Sequence, residues 1–296
     1  MKTKLYLSNT GHTFVKAQIL LKEKTMDGYF LIDSGSTDNY LDPKHITEHD
    51  LDFNTEQRKT VTLLDEGKQE NVLTGDTQLK IGDKCMTLKF NLMKSTHPMI
   101  NAFECRILGI LGSYFLVKNS IILDYENQNI LTPEEDDIQN AYEIRSQFRT
   151  GFNLFGVPAI GLLGEDQENI IMAVLDTGSG NNVICRRSLD KYGIIHSGND
   201  SQYNVYGAKA ETCCHACNCT VKALSQDNRK QTCLVEFSDN FLLLEEREYI
   251  VDGEQGKIIE AIIGGGFLSR HGAVLDFSTG DLYLKEWKTE CKTNGK

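Results

Sequence analysis

No run in this chain approaches the ~20 consecutive apolar residues of a membrane-spanning helix. Its first residues, MKTKLYLSNTGHTFVKAQILLKEK, never sustain the apolar core of a secretory signal. The expectation is a chain neither exported nor anchored, with a cytoplasmic location and no membrane partner. Basic residues are also short, 31 Lys and Arg against 42 Asp and Glu, for a net charge of -11. Affinity for polyanions comes from clustered cations that neutralise phosphates, so nucleic acid is not an expected partner. Proline is scarce, four in 296 residues, and helical periodicity is nearly absent. No Ser-His or Cys-His nucleophile motif is evident either. The nine cysteines are an odd number and, without a secretory signal, read as reduced thiols.

What is present is a series of short apolar runs separated by Gly, Asn and Asp: GYFLID, TQLKIG, MTLKFNLM, SIILDYENQNI and AVLDFSTGDLYL. Their length and punctuation are those of strands and turns, so the predicted class is mainly β. PKHITEHD and RRSLDKYG are the two stretches expected to form short helices. A proline and four consecutive acids fall in TPEEDDIQNAYEIRSQ, near mid-chain, where a linker would divide the sequence. The predicted organisation is an N-terminal lobe over residues 1–133, a linker over 134–147 and a C-terminal lobe over 148–296.

The two halves repeat one another. FLIDSGSTDNYL matches AVLDTGSGNNVI, placing Asp33 on Asp176, Gly35 on Gly178 and Ser36 on Ser179. ILGSYFLVKNSIILDY matches IIGGGFLSRHGAVLDF without a gap, placing Gly112 on Gly264 and Asp124 on Asp276. The interval from acid to glycine is 79 residues in the first half and 88 in the second. A single Asp-Ser-Gly turn would be ordinary turn chemistry. Its duplication, in order and at similar spacing, points to one site assembled from two halves.

Two carboxylates on glycine-containing turns can be brought face to face by a pseudo-two-fold axis. At ~3 Å and an effective dielectric of about 20, like charges repel by ~5 kcal/mol, about 4 pKa units, so the pair holds one proton. The ionised acid can take a proton from water while the protonated one bonds an amide carbonyl; the roles then reverse. Gly35 and Gly178 permit the tight turns, and Gly112 and Gly264 would let an apolar strand pass close behind each loop. The hydroxyls of Ser36 and Ser179 are expected to donate to the carboxylates. Ser34 and Thr177 are expected to bond across to the opposite loop. Asp124 and Asp276 are expected to form turns.

These paired motifs resemble those of the aspartic proteases of the pepsin and retroviral-protease clan, each half carrying a D-[ST]-G-[ST] loop and an apolar-apolar-Gly brace. The matching residues are Asp33-Ser34-Gly35-Ser36 with Ile110-Leu111-Gly112, and Asp176-Thr177-Gly178-Ser179 with Ile262-Ile263-Gly264. The resemblance implies a bilobal acid-protease fold of two homologous β-barrel-like lobes, with Asp33 and Asp176 catalytic and no cofactor. The chain is shorter than pepsin-like enzymes and resembles a fused retropepsin-like enzyme of bacterial type. It implies a monomeric endopeptidase making limited cuts in an intracellular peptide or protein. A peptide-binding pseudo-protease is the alternative, against which both acids and both bracing glycines count.

Family members cover the cleft with β-hairpin flaps. Turns at LLDEGKQ and NVYGAKA put Gly67 34 residues after Asp33, and Tyr206-Gly207 at the corresponding place, Gly207 31 residues after Asp176. TCCHACNCT holds Cys213, His215, Cys217 and Cys219 in alternation. On a strand these line one face ~6.6 Å apart per step, too far to share one ion without a turn. The expectation is a strand-borne thiol cluster and no metal, and redox activity stays open.

Overall fold

The structure is a computed structural model, and it describes residues 1–53, 57–63, 68–96, 100, 103–133, 145–149, 151–152, 158–164, 169–206, 211–226, 232–244 and 260–285. The first half contains β1 (Lys2–Leu7), β2 (Thr13–Leu20), β3 (Thr25–Asp33), β4 (Tyr40–Leu41), β5 (Arg58–Leu63), β6 (Lys68–Ile81), β7 (Lys84–Leu92), β8 (Ile107–Gly112), helix α1 (Ser113–Lys118), β9 (Ile122–Asp124) and β10 (Asn129–Leu131). The second contains β11 (Arg145–Arg149), β12 (Gly151–Phe152), β13 (Pro158–Leu163), β14 (Ile170–Asp176), β15 (Asn182–Cys185), α2 (Arg186–Lys191), β16 (Ile195–Tyr206), β17 (Glu211–Gln226), β18 (Thr232–Leu244), β19 (Ala261–Gly264), α3 (Gly265–Arg270), β20 (Val274–Asp276) and β21 (Asp281–Lys285).

The molecule is mainly β, with two barrel-like lobes of the same topology. In the first, pairing runs β2–β3–β8–β4–β7–β6 and returns to β2. In the second it runs β13–β14–β19–β15–β18–β17 and returns to β13. Closure leaves neither ring with a free edge. Strands with one wet face alternate: on β7, Met86, Leu88 and Phe90 point inward while Cys85, Thr87 and Lys89 point out. β8, all six of whose residues are buried, reads ILGILG instead because both its faces are covered.

Parallel pairing places each acid beside its bracing glycine: Asp33 opposite Gly112 and Asp176 opposite Gly264. Behind each glycine the chain turns into a short helix, α1 or α3, whose twin phenylalanines Phe115 and Phe267 are both buried. Sequence periodicity was too short to reveal these six-residue helices. Of the two expected helices, RRSLDKYG supplies α2, whereas PKHITEHD forms only a three-residue 3-10 turn, Glu48–Asp50. There the Asp50 carboxylate accepts from the Thr47 amide and hydroxyl, closing the segment after one turn.

The halves join through a sheet ordered β1–β10–β9–β20–β21–β11. At its centre Leu123 faces its own repeat partner Leu275, while Ile122 faces Asp276 and Asp124 faces Val274. The Tyr125 amide donates to the Ala273 carbonyl and the Phe277 amide to the Ile121 carbonyl, each at 2.9 Å. Such reciprocal pairing defines the pseudo-two-fold axis. Asp124 and Asp276 end their strands by accepting from Asn127 and from Ser278 and Thr279, which closes the following turns. Residues 145–147, the end of the expected linker, lie in β11 and pair with β21; residues 134–144 lie outside the described residues.

Candidate active site

Asp33 and Asp176 end equivalent strands, so the axis that relates the lobes brings the two turns together. A Cβ added to Gly35 would stand 2.6 Å from Cγ of Asp176, and one on Gly178 would run into the Asp33 carboxyl. Each glycine therefore makes room for the acid of the opposite loop. This crossed fit requires glycine at both positions, because real Cβ atoms do not approach so closely. Gly112 and Gly264 lie against the backbone carbonyls of Asp38 and Asn181, where a side chain would likewise collide.

A second crossed arrangement locks the turns. The Thr177 hydroxyl accepts from the Ser34 amide at 3.0 Å and donates to the Ile32 carbonyl at 2.6 Å. Reciprocally, the Ser34 hydroxyl accepts from the Thr177 amide at 3.0 Å and donates to the Leu175 carbonyl at 2.6 Å. Both side chains are fully buried. Four buried backbone groups thus find partners across the lobe boundary, and losing one such partner typically costs 1–3 kcal/mol.

The carboxyl groups are held by backbone amides rather than by the serine hydroxyls expected from the sequence. The Ser36 amide donates to Asp33 Oδ1 at 3.0 Å and the Gly178 amide to Asp176 Oδ1 at 2.9 Å. The hydroxyls of Ser36 and Ser179 donate instead to the carbonyls of Asp38 at 3.2 Å and Asn181 at 2.8 Å. Local geometry explains the difference. Each serine follows a tight turn whose amide already points at the carboxyl, leaving the hydroxyl free to close the next bend.

Burial pushes both acids above the usual carboxylate range. For Asp33 the negative charge of Asp176 and the hydrogen bond between the two carboxyls add to burial, and its affinity for a proton rises well above normal. For Asp176 the bond from Asp33 and the amides of Gly178, Ser179 and Gly35 oppose the effect of burial and favour the ionised form. The two carboxyls bond one another and titrate as a unit, which keeps a proton on the pair above the usual carboxylate range. Both residues keep partial exposure, so water can reach them.

Two supporting asparagines escaped the sequence reading. Asn39 Oδ1 accepts from the Gly112 amide and Asn182 Oδ1 from the Gly264 amide, each at 3.0 Å. Their Nδ2 groups donate to the carbonyls of Lys89 and Asn240. They stand six residues after each acid, Asn on Asn in the repeat, which is the signal that could have found them. His12 also lies close, its ring against Gly180 and its Nδ1 2.8 Å from Thr10 Oγ1. Burial lowers its pKa to about 4, so it is neutral above that pH and adds no cation near the loop.

Other expected site residues fall elsewhere. Gly67 and Gly207 lie outside the described residues, and Tyr206 is the last residue of β16. The strands flanking them form hairpins, Leu63 pairing with Lys68 and Tyr206 with Glu211. Cys217 and Cys219 point into the core with their sulfurs 3.2 Å apart, whereas His215 is exposed. Among the described residues no group of three or more His, Cys, Asp or Glu is arranged to hold a metal ion.

No protein-family model matches the sequence, and no curated protein sequence does. The fold is similar to solved structures, among them the aspartic proteinase from Irpex lacteus, at a TM-score of 0.55 and 12% identity over 99% of this chain and 98% of that one. At that identity the likeness is one of fold. It extends over both lobes.

Proposed function

We propose that the chain is an aspartic endopeptidase in which water held between Asp33 and Asp176 attacks a peptide carbonyl. The observation that carries this reading is the crossed fit of each carboxyl onto the opposite loop's glycine, which leaves two acids one proton to share. Asp176, ionised, takes a proton from the water as its oxygen bonds to the carbonyl carbon. Asp33, protonated, donates to the carbonyl oxygen and transfers its proton there as negative charge develops, giving a neutral geminal diol from whose hydroxyl it later takes the proton back. In the second step the proton on Asp176 passes to the leaving nitrogen, the C–N bond breaks and Asp33 recovers its proton. Each half supplies one acid, so a single chain suffices and the monomer is the working form. Limited cleavage of an intracellular peptide or protein suits a chain whose Cys85, Cys105, Cys185, Cys217 and Cys219 are free thiols.

Peptide-library cleavage by the parent and by Asp176→Asn tests the reading. The parent is expected to cut, with activity confined to the pH range in which the pair holds one proton. The variant should remain folded and lose at least ~10²-fold in rate. A parent that binds peptides yet cuts none from acidic to neutral pH would establish a peptide-binding module instead.

A further inference from the structure

The two catalytic loops are matched in backbone but not in charge. Five residues after Asp33 stands Asp38, and five after Asp176 stands Asn181. Both positions are fixed alike: their carbonyls accept from Ser36 and Ser179 and pack against Gly112 and Gly264. Asp38 is therefore a rigidly mounted carboxylate that the second loop lacks. Its Oδ2 lies 2.7 Å from Nζ of Lys59, which is on β5, the outer strand of the first hairpin. At its near end that strand pairs on one side with β6, Arg58 with Leu73 and Lys59 with Val72, and among the described residues no strand pairs with its other side. Arg58, Lys59 and Thr60 are all exposed, Arg58 meets Glu48 only at 4.0 Å, and a cavity of about 320 Å³ lined by Arg58, Val72, Leu73 and Met93 lies against the hairpin base. Burial and then the negative charges of nearby Asp38 and Asp33 raise the pKa of the Tyr40 phenol.

We propose that Lys59 is a positioning residue, whose ion pair with Asp38 tethers the β5–β6 hairpin to the first catalytic loop and sets where that hairpin stands beside the carboxyl pair. The second catalytic loop carries a neutral asparagine, Asn181, at the equivalent position, so the tether makes the two halves of the site asymmetric. Its role in binding an extended peptide along the hairpin rests on the endopeptidase reading; the tether itself does not.

Amide hydrogen exchange on the full chain without substrate reads the tether directly. Lys59→Met and Asp38→Asn should each speed exchange in β5 and the paired part of β6 about two- to five-fold, the range an exposed ion pair supplies. β2 and β3 should be unchanged, and the double variant should be no faster than either single one. Exchanging the charges, Lys59→Asp with Asp38→Lys, should restore protection. In cleavage assays the single variants should raise KM more than they lower kcat, with the charge exchange again restoring KM. Unchanged exchange in both single variants, or losses that simply add in the double variant, would overturn the proposal. A parent that cuts no peptide but shows the exchange pattern would sink the endopeptidase reading and leave the tether standing.

Discussion

Burial and the Asp176 charge both penalise ionisation of Asp33, and this has a thermodynamic consequence. Its folded pKa lies above the unfolded value of about 3.9, so the stability linked to that proton is fully present below about pH 4. It declines as pH rises and is lost through the folded pKa. Asp33→Asn is neutral throughout and escapes that loss. Thermal unfolding should therefore show the variant gaining on the parent as pH is raised from acid to neutral, with the two converging in acid. A pH-independent difference would mean that the acid pair does not share a proton. The residues behind this behaviour were partly visible in the sequence. Duplication exposed Asp33, Asp176 and their glycines, because both the chemistry and the close approach demand those residue types. The donors to the carboxyls could not be read, since Ser36 offers both an amide and a hydroxyl and only the turn geometry decides between them.

At the scale of elements, each barrel passes one strand, β8 or β19, behind its aspartate-bearing loop and fastens it by an asparagine on the neighbouring strand or just before it. Asn182 accepts from the Gly264 amide and donates to the Asn240 carbonyl, joining three strands through one buried side chain. Asn182→Leu fills a similar volume but leaves the amide and the carbonyl without those bonds. The expected cost is about 1–3 kcal/mol in denaturant unfolding, chiefly from the buried Gly264 amide left without its acceptor. Asn39→Leu should cost the same within the scatter of such measurements, since its bonds are equivalent. A negligible effect at both sites would show that the strands are held by their ladders alone. The strands themselves were legible from short apolar runs, and α2 from RRSLDKYG. The helices α1 and α3 were not, because six residues after a glycine span too little chain for a periodic signal and form through the tertiary seat of Phe115 and Phe267. The Lys59–Asp38 pair was likewise hidden: 21 residues separate its members, and the fold alone brings them together.

The whole molecule is a duplicated unit folded about its own axis. Leu123 against Leu275, the reciprocal Tyr125 and Phe277 amides, and the crossed Ser34 and Thr177 hydroxyls lie along that axis, and the carboxyl pair stands where the two loops meet across it. Self-similarity in the sequence foretold two matched lobes. The order of the joining sheet depended on which short strands met across the axis, and three-residue strands such as β9 and β20 carry too little pattern to specify that. The central claim is that the lobes build one shared-proton site rather than two separate acids. NMR titration of the carboxyl carbons in aspartate-labelled protein, with Asp33→Asn and Asp176→Asn to assign the signals, tests it most directly. The account predicts two coupled steps, the upper one well above the ordinary carboxylate range, and a return of the remaining acid toward a single-step titration when either partner is replaced. Two independent titrations near pH 4, unaffected by replacing the other residue, would contradict it.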